Sequence, residues 1–127
     1  MVLIGFSVLR EKILTGKKRQ TIRKPRKRAY KSTDILNLYW KIRTKNTQHL
    51  FDAPLTKVTR IWFRDFSEEL ALNDGFKSLK EMQTWFQKTH RDYIDSHEYK
   101  GFDVIEWDYD QRTSMLPQEL WVGTSTA

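Results

Sequence analysis

Leu36-Asn37-Leu38-Tyr39-Trp40-Lys41-Ile42-Arg43 alternates with a strict period of two. Neighbouring side chains of a strand point to opposite faces, so Leu36, Leu38, Trp40 and Ile42 share one face while Asn37, Tyr39, Lys41 and Arg43 share the other. This is the clearest strand in the chain, and its apolar face must be covered by another element. The polar run from Thr44 to Gln48 that follows is a turn, and His49-Leu50-Phe51 then pairs back as a hairpin.

Outward from this strand, Pro54 opens a second long one that reaches about Phe63. Leu55, Lys57, Thr59, Ile61 and Phe63 lie on one side of it and Val58, Arg60, Trp62 and Arg64 on the other, a pattern that suits cover on both sides. Upstream, Val2 to Phe6 is a short strand. A short helix follows through Val8, Leu9, Ile13 and Leu14, stopped by Gly16 in the left-handed position just past its end, and Thr21 to Arg23 is extended. Downstream, Ser67 caps a short helix over Glu68 to Leu72, closed by Asn73-Asp74-Gly75. Ser78-Leu79-Lys80-Glu81 is a capping box, and Leu79, Met82, Trp85, Phe86 and Tyr93 recur at helical spacing, so a helix runs from Leu79 to about Tyr93 with its aromatic stripe in the core. Gly101 starts a last strand, Phe102 to Trp107, and the terminal Gly-Thr-Ser-Thr-Ala is frayed. With a single helix long enough for a regular crossover, a doubly wound sheet is disfavoured. The expected class is α+β: a small mixed β-barrel decorated by helices. The face Leu36, Leu38, Trp40 and Ile42 is expected to lie inside the barrel against the helix face Leu79, Met82, Trp85 and Phe86.

At 127 residues the chain is expected to form one domain around one core. Aromatic residues at 13% let it order despite being 31% charged. The absence of cysteine excludes disulfides, thiol catalysis and Cys-ligated metal sites. His49, His90 and His97 have no ligand spacing, and no glycine-rich phosphate motif or hydrolase elbow is present, so neither metal nor cofactor is expected. The apolar start, Met1 to Phe6, is too short for a signal or a membrane span, so the expected setting is cytoplasmic with no membrane role. Nothing in the composition fixes the oligomeric state.

Nine of the fifteen residues from Lys17 to Lys31 are basic, namely Lys17, Lys18, Arg19, Arg23, Lys24, Arg26, Lys27, Arg28 and Lys31, and none is acidic. The whole chain has 23 basic and 16 acidic residues, so without these nine it has 14 against 16 and the net charge of +7 is local. A concentrated field attracts and orients a polyanion, which makes a phosphate-bearing partner the leading expectation. Pro25 bars a continuous helix through the run, and Ile22 and Tyr30 are its only sizeable apolar residues, so a membrane-surface helix does not fit.

Within this run, Gly16-Lys17-Lys18-Arg19-Gln20-Thr21-Ile22-Arg23 resembles the G-x-K-x-x-[ET]-x-R signature of the ASCH domain, a family with a PUA-like barrel fold, with Gly16, Lys18, Thr21 and Arg23 at the four signature positions. The surroundings resemble it too: a helix end before the signature, an alternating strand after the basic loop, and Asp74-Gly75-Phe76 ahead of the long helix. The resemblance covers about residues 1–108 as an ASCH domain and leaves 109–127 as a partly frayed extension. Thr at position 21 is similar to the bacterial branch that hydrolyses N4-acetylcytidine. That likeness implies Thr21 as nucleophile, Lys18 as base and Asp74 as the carboxylate before the long helix, where the family enzyme has Glu. The Asp side chain is one methylene shorter.

The two-residue spacing of Thr21 and Arg23 puts both on one face of a strand, where a hydroxyl and a guanidinium can meet the same ligand. The cations Lys17, Arg19, Arg23, Lys24, Arg26, Lys27, Arg28 and Lys31 are the candidate contacts to nucleic acid, and Tyr39 is a candidate for stacking a base. The first reading is a protein that binds RNA or a modified nucleoside in a basic cleft. The alternative is an N4-acetylcytidine amidohydrolase, and a third reading is an RNA-cleaving ASCH protein, for which no diagnostic residue is visible.

Overall fold

The computed structural model describes residues 2–113. Its elements are β1 (Val2–Phe6), α1 (Arg10–Leu14), β2 (Gln20–Arg23), β3 (Ile35–Trp40), β4 (Gln48–Ile61), α2 (Glu68–Asn73), α3 (Leu79–Ile94) and β5 (Phe102–Trp107), with single 3₁₀ turns at Phe63–Asp65 and Tyr109–Gln111. The strands form one sheet in the order β1-β3-β4-β5-β2. β1 and β3 are parallel and every other pair is antiparallel, which makes the sheet mixed. It curls until its two edges approach: Arg23, at the end of β2, donates through Nη2 to the Gly5 carbonyl of β1 at 2.5 Å. The result is a small α+β domain, a curled half-barrel carrying three helices.

The two strands expected on either side of Pro54 are one strand of 14 residues. Up to Pro54 it pairs with β3, and from Leu55 onward it pairs with β5. Proline, with no N–H to give, is tolerated where the ladder changes hands, and its carbonyl still accepts from the Asp108 N–H at 2.9 Å. A bulge between Leu55 and Lys57 adds to the bend. The period-two stretch also departs from expectation. A bulge between Leu38 and Tyr39 interrupts it, and Lys41 (φ 48°) and Arg43 (φ 64°) adopt left-handed backbone, so the strand stops at Trp40. Leu36 and Leu38 are fully buried, whereas Trp40 and Ile42 are only half-buried.

Two apolar clusters replace the single core. The barrel interior is built from β1, β3, β4 and β5, with Ile4, Leu36, Leu38, Leu50, Phe51, Ile105 and Trp107 among its members. Outside the barrel, Met82 and Phe86 of α3 and Phe66 pack on Ile22, Phe102 and Val104. The expected contact between α3 and the Leu36–Leu38 face is therefore corrected. The cause lies in β5: its apolar run sends Ile105 and Trp107 inward and Phe102 and Val104 outward, and the outward pair needs its own cover. β5 is the strand covered on both sides, while the Lys57–Arg60 end of β4 is largely exposed. Leu38→Ala should cost about 2–5 kcal/mol as an interior cavity in urea unfolding; a cost below about 0.5 kcal/mol would place Leu38 outside the barrel.

Tyr109 closes the barrel below α1, its ring 5.7 Å from Phe51 and its hydroxyl donating to the Leu14 carbonyl at 2.5 Å. Thr113 then pairs with Asp52 by an isolated bridge. The terminal Gly-Thr-Ser-Thr-Ala lies outside the described residues.

Candidate nucleotide site

The signature segment folds as a hook. Gly16 stands at φ 79°, a left-handed conformation natural to glycine, and a Cβ there would fall 2.7 Å from the Tyr109 ring. The chain reverses at this point, the Lys18 N–H bonds the Lys12 carbonyl at 2.9 Å, and the Lys18 side chain turns inward instead of into solvent. Gly75, at φ 100°, makes a second such turn after α2 and leaves Asp74 facing the hook. The two turns meet in a buried pair. Lys18 Nζ donates to the Asp74 carbonyl at 2.6 Å and lies 3.1 Å from its carboxylate Oδ1. Gln20, two residues on at the start of β2, donates to the same Oδ1 at 3.4 Å.

Burial governs the protonation of both groups. It pushes the Lys18 ammonium below the ordinary lysine range, an effect the neighbouring Asp74 carboxylate partly offsets. It pushes the Asp74 carboxyl up, with Lys18 pulling the other way. Each shift brings its group closer to neutrality than its solvent-exposed counterpart, so within the ion pair Lys18 gives up its proton and Asp74 takes one up more readily than either would in water.

Thr21 is 5% exposed and its Oγ1 accepts from Arg23 Nε at 3.1 Å, so the two share a face of β2. Because the oxygen is accepting, the hydroxyl hydrogen remains free to donate. Lys18, Thr21, Arg23 and Asp74 line one cleft of about 620 Å³, which also takes in Lys24, Phe76, Glu81, Trp85 and His90. That volume lies in the range of small-molecule sites. Trp85 is 45% exposed and its ring centre sits 5.9 Å from Phe76 and 5.7 Å from His90, forming an aromatic wall opposite the polar floor. His90 interrupts the helical backbone of α3 (φ −119°), and burial, then the Lys24 and Arg23 charges, push its imidazole below the usual range. The lowering favours the neutral ring.

The remaining candidates fall elsewhere. Lys17 and Arg19 line a separate shallow groove with Asn73 and Glu106, and Arg19 packs over Tyr109 and pairs with Asp110 at 3.5 Å. In the β2–β3 loop Arg26 stacks over Tyr30 at 4.2 Å and bonds the Arg28 carbonyl, Lys27 and Arg28 stand in solvent, and the Lys31 N–H bonds the Asp34 carboxylate. None of these four lines the cleft. Tyr39 stacks on His49 at 4.7 Å, away from the cleft-lining residues. Sequence reading missed Trp85, Phe76 and His90 as site residues. The spacing did not separate Trp85 from the buried stripe, since an apolar helix face about 100° wide can hold two adjacent residues such as Trp85 and Phe86. Nor did any signal mark His90. Among the described residues no cluster of His, Cys, Asp or Glu has the makings of a metal site, and no helix is long and apolar enough to cross a membrane.

A crystal structure of an ASCH domain from Lactobacillus crispatus JV V101 matches this architecture with a TM-score of 0.52 over 84% of this chain and 79% of that one, at 14% sequence identity. The chain has an ASCH-domain fold. No family model and no curated protein matches its sequence. In the ASCH fold seen here the hook with Lys18 and the turn with Asp74 come from segments 56 residues apart, joined at the mouth of the barrel.

Proposed function

We propose that the chain is an ASCH-family protein that binds single-stranded RNA, or a modified nucleoside within it, with a base held in the Lys18–Asp74 cleft. The observation that carries this reading is the pairing of a half-exposed indole with a buried ion pair across one cleft. Stacking on Trp85 and Phe76 suits any base, while the amine, carboxyl and hydroxyl of the floor present donors and acceptors to its edge. Arg23 and Lys24 line the cleft and the Arg26–Arg28 loop follows them along the chain, so together they supply cations for a backbone that runs out of the cleft. In a titration with labelled RNA, Trp85→Ala should cost about 1–3 kcal/mol of binding, the usual worth of one stacked base. Replacing Lys24, Arg26, Lys27 and Arg28 together with Ser should flatten the log–log salt slope by up to about 2.8, at roughly 0.7 per phosphate contact. A slope that does not change would move the phosphate path off this loop.

A second reading, the N4-acetylcytidine amidohydrolase, draws support from the company Thr21 keeps. Its free hydroxyl hydrogen, an amine of lowered basicity and a carboxyl of raised pKa line the same cleft. In that reaction the Thr21 oxygen adds to the acetyl carbonyl as Lys18 takes its proton. The N4 amine leaves protonated, and water then releases acetate from the acyl-Thr21 ester.

A further inference from the structure

A second groove of about 690 Å³ shares Gly5, Phe6, Ser7 and Arg23 with the cleft and continues past the end of β1 to Lys41, Ile42, Arg43, Thr44 and Asn46. Beyond Arg23 its cations are Lys41 and Arg43, whose backbones both hold left-handed φ, a conformation that non-glycine residues seldom adopt without surrounding support. The support is present. The Lys41 N–H bonds the Phe6 carbonyl at 2.8 Å, the Lys41 carbonyl accepts from the hydroxyls of Thr44 and Thr47, and Ile42 packs so closely on Gly5 that a Cβ there would meet it at 2.7 Å. The turn is thus clamped to β1 beside the shared wall. Arg23 spends Nε on Thr21 and Nη2 on Gly5, leaving Nη1 without a hydrogen-bond partner among the described residues, at the boundary between the two grooves.

We infer that the ligand is a strand and not a lone nucleoside, with one base in the Lys18–Asp74 cleft, its linking phosphate at Arg23 and Ser7, and the neighbouring nucleotide in the Lys41–Asn46 groove. This rests on the proposed function and extends it to the substrate class, an oligoribonucleotide of at least two residues. The groove fits a nucleotide by its charge, three cations (Arg23, Lys41 and Arg43) with no acidic lining residue, and by its exposed Leu3 and half-buried Ile42, against which a base can lie.

The test compares pentaribonucleotides of each base with the corresponding 5′-monophosphates, as competitors of a labelled random RNA 12-mer. The wild type should bind its preferred pentamer at least 10-fold tighter than the matching monophosphate. Lys41→Asn/Arg43→Asn, which keeps a residue type at ease in left-handed backbone, should shrink that gain to about 2-fold and lower the pentamer's salt slope by about 1.4, the loss of two single-strand phosphate contacts. Thermal unfolding checks that this surface variant folds. A wild-type gain of 2-fold or less, or a gain and salt slope unchanged in the variant, overturns the second subsite. In either case binding of the monophosphate that depends on Trp85 leaves the single-base reading standing. Failure of every RNA and monophosphate to bind overturns both.

Discussion

Asp74→Asn should destabilise the protein by about 3–5 kcal/mol near neutral pH, because it strands the Lys18 ammonium in a site where its side chain is 6% exposed. Lys18→Met should cost a similar amount by stranding the carboxylate. The double variant Lys18→Met/Asp74→Leu should return to within about 1 kcal/mol of wild type, since replacing both members of a buried pair by apolar groups removes two desolvation costs along with their attraction. The pH dependence follows from the two shifts. Lys18 is lowered in the fold, so between its folded pKa and the ordinary lysine value the unfolded chain binds more protons and stability rises with pH. Asp74 is raised, so between the ordinary aspartate value and its folded pKa the native state binds more protons and stability falls as pH rises. The pair is least favourable between these two windows and improves toward either end. Asp74→Asn removes the charge that holds Lys18 up, so the cost of that variant should shrink as the pH approaches 10. Urea unfolding at several pH values measures all of this; a single-variant cost under about 1 kcal/mol at pH 7 would mean that water reaches the pair.

A buried ion pair carries a desolvation cost that apolar side chains do not, and its members were legible in the sequence. Gly16, Lys18, Thr21 and Arg23 stood out through their spacing, and Asp74 through its place between a short helix and Gly75. Lys18, Thr21, Arg23 and Asp74 come together in one cleft, with Gly16 turning the chain ahead of them, because each sits at a turn or on a four-residue strand, where local sequence decides direction. The elements themselves were legible for the same reason: the capping serines Ser67 and Ser78 accept from Leu70 and Glu81 as their spacing implied. What the sequence hid was long-range. Whether Trp85 faces the core or a cleft depends on which side of β5 the helix α3 covers. That choice is made by Phe102 and Val104, in a strand eight residues beyond the end of α3. The bulge at Leu38 and Tyr39 likewise turned Tyr39 toward His49, and period-two alternation carries no mark of a bulge. The basic run was visible as charge but not as a surface, and the structure divides its members among the cleft, the outer loop and the Glu106 groove.

Loss of Thr21 or Lys18 should have the largest effect on turnover, if acetate release from N4-acetylcytidine is what the cleft performs. Thr21→Ala and Lys18→Ala should each lower the rate by about 10³-fold or more, and the double variant should be no worse than either, because a nucleophile and its base act as one unit. Thr21→Ser separates chemistry from packing: it keeps the hydroxyl, sheds one methyl, and should retain most of the rate. The carboxylate gives the sharper comparison. Asp74 reaches Lys18 through both its carbonyl and Oδ1, and the carbonyl contact survives any substitution, so Asp74→Glu keeps the amine anchored while extending the acid by one methylene. That variant should hold or raise the rate, whereas Asp74→Asn, unable to give a proton, should lower it at every pH where it remains folded. Because Lys18 must be neutral to accept the Thr21 proton, activity should rise with pH through a pKa below the ordinary lysine value, and that limb should move further down in Asp74→Asn. Absence of acetate from both the wild type and Asp74→Glu, with Trp85-dependent and salt-sensitive RNA binding intact, would sink the hydrolase. The Lys18–Asp74 pair would then serve to read a base.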